Sequence, residues 1–177
     1  MVAVPSRWTA LLALLGLLAC PLAKAVEEQE LKSAIVFNLL LFVEWPLDPV
    51  TASRDSLVLC VGASSALNAP LKALQGRAVR SHRLHVLDVA PGASWAACHA
   101  VFVDESGPAP PLAVAKPGGL TGTLVISDDL ADTPAWAAII LRRLGARIGF
   151  DVNLESARQS RLQLSSKLLR LARKVKE

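Results

Sequence analysis

Apolar positions along this chain come in blocks that differ in length and period. Residues 8–23, "WTALLALLGLLACPLA", are almost unbroken hydrocarbon. From Ala34 to Val43 every residue except Asn38 is apolar. That predicts a buried core helix over residues 30–46 with almost no wet face, ended where Pro46 pushes Trp45 out of helical geometry. Ten such residues are too few to cross a bilayer. Four strand-length apolar runs follow: "SLVLCVGA" (56–63), "RLHVLDVA" (83–90), Val101–Val103 and "GTLVISDD" (122–129). Between the first two, "SALNAPLKALQG" (65–76) reads as a helix stopped by Gly76. "DPVTASRD" (48–55) reads as a loop, and "GPAPPLAVAKPGG" (107–119) is broken by Pro and Gly, so that any helix there is short.

The C-terminal third has a different rhythm. "AIILRRL" and "ARIGFDV" flank Gly145 and predict an antiparallel hairpin. Asn153 is placed to cap a helix over "LESARQS", and Ser165 or Ser166 a last helix over "KLLRLARKV". On that last helix Leu164, Leu168, Leu171 and Val175 form one stripe, widened by Leu169 and Ala172, opposite Lys167, Arg170 and Lys174. Short apolar strands alternating with helices predict a single-domain α/β sandwich. Its central sheet is mostly parallel, with the late hairpin at one edge and the C-terminal helices packed on it.

Three features of composition change this picture. Arg7, the apolar run and Ala23-Lys24-Ala25 together read as a secretory leader cut after Ala25, which leaves residues 26–177 as the domain. "LLAC" (17–20) offers lipidation at Cys20 as the second route, with the Ala-x-Ala site the cleaner match. Export places the domain in the periplasm. Cutting there removes Arg7 and Lys24 and no acid, so the formal charge falls from +4 to +2, too small to suggest nucleic acid. Cys60 and Cys98 then remain as an even pair, which in an oxidising space most simply means a disulfide, against the alternative of two buried thiols. The charge is also segregated. Residues 142–177 hold ten Lys/Arg and three acids, a balance of +7, while residues 26–141 stand at −5.

Catalytic signatures are missing. The sequence has no Gly-x-Ser-x-Gly elbow, His-Glu-x-x-His pair, Walker loop or dinucleotide glycine motif, and it has no tyrosine. Neither a catalytic residue nor a cofactor is expected. "HRLH" (82–85) and "CH" (98–99) have ligand types suited to zinc but match no zinc spacing, so no metal is assigned. Ser64 and Ser65 lie in a strand-to-helix crossing, and Asp128-Asp129 lie at a strand end. These are places where open α/β sheets hold small ligands, although acidic turns commonly bond their own backbone.

Read in order, "LKSAIVFNLLLFVEWP", "LVLCVGASSAL", "CHAVFVDES", "TLVISDD" and "GFDVNLESARQSRLQLSSKLLRLARKV" resemble the exported YfiR-like proteins over essentially all of residues 26–177. The resemblance implies a non-enzymatic periplasmic regulator with an α/β fold. Its namesake represses an inner-membrane diguanylate cyclase by binding the cyclase's periplasmic sensor domain, and is itself sequestered by an outer-membrane, peptidoglycan-associated lipoprotein. It thereby lowers cyclic di-GMP and biofilm formation. The resemblance also implies a Cys60–Cys98 disulfide. It leaves three departures: a second cysteine pair is missing, Trp136-Ala137 replaces a Gly-Gly, and Arg161 stands where similar sequences often carry glycine at a helix end.

The leading expectation is therefore a repressor that docks on the periplasmic domain of a membrane-bound diguanylate cyclase or sensor kinase. Arg158, Arg161, Lys167 and Arg170 are the partner-binding candidates, since complementary fields steer encounter and set orientation. The lipoprotein and a second copy of the chain are further candidate partners; nucleic acid is not. The alternative is a ligand-sensing module without enzymatic activity, using Ser64, Ser65 and Asp128.

Overall fold

The computed structural model describes residues 20–45, 56–90, 92–106, 121–128 and 135–177, with side chains from Val26 onward in the first segment. The loops read at 48–55 and 107–119, Asp129, and residues 1–19 of the expected leader lie outside the described residues. Helix α1 spans Cys20–Leu40 and is followed by a two-residue strand, β1 (Val43–Glu44). Then come β2 (Ser56–Gly62), α2 (Asn68–Lys72), β3 (Ala78–Val79), β4 (His82–Val89), β5 (Ala100–Val103) and β6 (Leu124–Ser127). The chain closes with β7 (Ile139–Leu144), β8 (Arg147–Asn153), α3 (Leu154–Gln159), β9 (Gln163–Leu164), α4 (Ser166–Leu171) and β10 (Lys174–Lys176).

Eight strands form one sheet in the order β10-β8-β7-β6-β5-β2-β4-β3. The pairs from β4 through β2, β5 and β6 to β7 are parallel, and β7–β8 and β3–β4 are antiparallel. Three of the four apolar runs, β2, β5 and β6, are covered on both faces of the sheet, while β4 alternates buried and exposed residues. Leu57, Leu59, Val61, Phe102, Leu124 and Ile126 pack under α1 on one face. Val58, Cys60, Val101, Val103 and Val125 pack with Trp95 and Cys98 on the other. Burial on both sides is what makes a parallel strand read as continuous hydrocarbon. Fully burying one such side chain contributes about 1.5–3 kcal/mol.

Three sequence readings are corrected. Helix α1 ends at Leu40, before the expected Pro46 stop, because Leu41 and Phe42 bond back to Asn38 and Leu39 carbonyls in a tight turn. The chain then extends so that Val43 and Glu44 pair with Leu164 and Gln163. Secondly, α1 does have a wet face: Glu27, Leu31, Ala34 and Asn38 are exposed while Ser33, Val36, Phe37 and Leu40 are buried, the i, i+3, i+4, i+7 signature of a half-buried helix. Thirdly, the last helix stops at Leu171. Ala172 turns extended, Arg173 donates its backbone N–H to Phe150, and Lys174–Lys176 run parallel to β8. The β7–β8 hairpin is therefore one strand in from the edge, and the predicted leucine stripe is split. Leu168 is fully buried, while Leu171 is 63% exposed.

Candidate docking surface and strand-end crevice

The sequence-predicted caps form as expected and fix the C-terminal segment. The Asn153 side chain accepts from the Ser156 N–H to start α3, and the Ser165 hydroxyl accepts from the Leu168 N–H to start α4. Between them α3 ends in a Schellman motif. The Leu162 N–H donates to Ala157 O and the Arg161 N–H to Arg158 O, with Leu162 and Ala157 both buried. That motif needs a left-handed residue, and Arg161 supplies it with φ 57°. Arg158, Arg161, Lys167 and Arg170 are all exposed on this α3–β9–α4 segment. Lys167 lies over the Phe42 ring, 5.5 Å from its centroid. Among the described residues none of the four pairs with a carboxylate.

Other cations nearby are used internally, through contacts that no sequence pattern marks. Asp151, which is buried, accepts from Arg173 Nε at 2.8 Å and Nη2 at 2.6 Å, and from Arg142 Nε at 3.3 Å. Burial alone would raise this carboxyl, but the bonds and charges of Arg173 and Arg142 outweigh it and hold Asp151 below the ordinary carboxylate range. The effect is to rivet β10 to the sheet. Arg80 does similar work. It turns the β3–β4 hairpin with φ 54° and donates to Val43 O at 3.1 Å and the Glu44 carboxylate at 3.0 Å, tying β1 to that hairpin.

The opposite end of the sheet holds the predicted crevice. After β2 the chain goes to β4 on one side and then returns to β5 on the other. The topological switch therefore falls at the carboxyl ends of β2 and β5, where such sheets bind ligands. Ser64 and Ser65 are there, and both are spent across the gap. Ser64 Oγ donates to Ser106 O, and Ser65 Oγ donates to Asp104 Oδ2 at 2.5 Å. Asp104 is a residue the sequence reading missed. Asp128, at the end of β6, accepts from Lys32 Nζ of α1 at 2.7 Å, and Lys32 also pairs with Glu28, which in turn meets Arg143. Burial would lower Lys32, but its bonds to Asp128 and Glu28 prevail and raise it above the usual lysine value. The three predicted ligand residues thus sit at one pole, each bonded within the chain. Their arrangement locks the strand-end loops to each other and to α1.

Cys60 on β2 and Cys98 before β5 are joined as a disulfide with Cα atoms 5.8 Å apart. The bridge is buried in the smaller core beside Trp95, which meets Trp136 edge to face. The histidines considered as ligands have other bonding: His85 Nδ1 with Gln75, His82 Nδ1 with Ser81, and His99 Nδ1 accepting from the Val58 N–H. Among the described residues no three His, Cys, Asp or Glu side chains gather to hold a metal. No described helix is long and apolar enough to cross a membrane.

Fold, bridge and charge define a small doubly wound α/β domain whose buried disulfide suits an oxidising compartment. A family model described as YfiR/HmsC-like matches residues 29–173, and the chain belongs to that family. It is a periplasmic, regulatory rather than catalytic family. A search of curated proteins gives no match.

Proposed function

We propose that this protein is a periplasmic repressor that docks on the periplasmic sensor domain of an inner-membrane diguanylate cyclase and holds it in a low-activity conformation, so lowering cyclic di-GMP. The observation that carries this reading is the α3–β9–α4 segment. It is capped at both helices, hung on a sheet core, and presents Arg158, Arg161, Lys167 and Arg170 outward without carboxylate partners among the described residues. A rigid scaffold presenting free cations suits recognition of an acidic protein face. Membership of a YfiR/HmsC-like family supports a regulatory role in diguanylate cyclase signalling. Repression needs no chemistry from the repressor, only tighter binding to one state of the cyclase than to the other. Deleting the gene and restoring it tests the reading. Cyclic di-GMP should rise on deletion and fall on complementation, and unchanged levels in both strains would remove the proposal.

A further inference from the structure

Two non-glycine residues among those described have left-handed backbones, and both are arginines. At Arg80 the side chain repays the strain, because its guanidinium holds Val43 and Glu44. At Arg161 nothing among the described residues does. Its backbone completes the α3 Schellman motif, a job glycine performs without the Cβ penalty, while its side chain is exposed and makes no ion pair or hydrogen bond among the described residues. Glu155 is the sole acid between Val152 and Lys176, so the local field does not favour the cation either. Backbone strain that the fold does not need points to a function.

We infer that Arg161 is a docking residue, forking onto a carboxylate on the acidic face of the protein partner. The inference rests on the repressor reading above and deepens it by naming one contact. A guanidinium matches a carboxylate with two parallel hydrogen bonds, which a lysine does not reproduce. An anionic membrane is the poorer occupant. Leu162, next to the position, and Leu168 are buried in the core, and Leu171 is the one large apolar side chain of α3–β9–α4 that is strongly exposed, too little to insert beside the charge.

Arg161→Gly separates contact from structure, because it relieves the backbone while removing the side chain. The melting temperature should rise by about 1–4 °C. In the deletion strain, the amount of Arg161→Gly protein needed for half-repression of cyclic di-GMP should rise about tenfold, the scale of a lost interface arginine. Arg161→Asn should behave alike, and Arg161→Lys should recover only part of the loss. Wild-type protein that represses while Arg161→Gly represses equally at matched levels overturns this inference and leaves the repressor reading intact. Wild-type protein that fails to repress overturns both. Flotation with mixed phosphatidylethanolamine–phosphatidylglycerol vesicles gives the last arm: wild type floating while Arg161→Gly does not would assign the residue to lipid and overturn the protein contact.

Discussion

Asp151→Asn should detach the C-terminal strand without unfolding the domain. Asp151 receives two bonds from Arg173 and one longer bond from Arg142, and its own side chain is 12% exposed. A hydrogen bond to a charged group is worth about 1.5–3 kcal/mol. Arg173 is 46% exposed, so solvent screens part of its share. Asparagine keeps one acceptor but sets an NH2 against the arginine N–H groups, which makes the net loss roughly 2–4 kcal/mol. The core under α1 is untouched, so this loss falls on the attachment of β10. Amide exchange read by mass spectrometry should show Arg173–Lys176 losing protection by roughly 30- to 1,000-fold, with β2, β5 and β6 unchanged. The same anchor should be acid-labile. Because the folded carboxyl is depressed, its contribution is complete above the unfolded carboxylate pKa and is lost as pH falls below about 4 toward the folded value. Unchanged C-terminal exchange in Asp151→Asn at neutral pH would refute the rivet.

Two further outcomes follow from the same geometry. Replacing Cys60 and Cys98 together by alanine removes a cross-link spanning 38 residues, worth about 4 kcal/mol in the chain-entropy model, and should lower the melting temperature by about 8–16 °C; a shift under about 2 °C would contradict a stabilising bridge. Lys32→Met removes the Lys32 bonds to Asp128 and Glu28 and should destabilise the domain by about 1–3 kcal/mol in urea titrations. Since Lys32 is raised when folded, the wild-type contribution should persist at neutral pH and fade only above the ordinary lysine range.

Much of the fold is legible in the sequence where the cause is local or where burial is two-sided. Short apolar runs such as "SLVLCVG" read as strands buried on both faces, and the Gly145 hairpin and the Asn153 and Ser165 caps follow from neighbouring residues. The C-terminal helix was misread because Leu164, Leu168, Leu171 and Val175 do keep helical spacing. What broke the helix was a non-local competitor, the open edge of β8 together with Asp151, which drew Arg173 and the residues after it into the sheet. The same holds at the crevice. Ser64, Ser65 and Asp128 were placed at the correct strand ends, but their partners Asp104 and Lys32 lie 39 residues from Ser65 and 96 from Asp128, where no periodicity reaches. The resemblance marks Arg161 as an arginine in a glycine's place, and the structure adds that its side chain has no ion-pair or hydrogen-bond partner among the described residues.

The proposed role of the basic α3–β9–α4 segment is to grip an acidic periplasmic domain. Calorimetric titration of the disulfide-bonded protein into the isolated periplasmic domain of the proposed diguanylate cyclase partner, at low and at physiological salt, measures that grip. Binding should be saturable, weaken as salt rises, and be abolished by reversing Arg158 and Lys167 to glutamate in a protein that still melts normally. Binding that ignores both salt and charge reversal, or no binding by the folded protein at either salt, would contradict it.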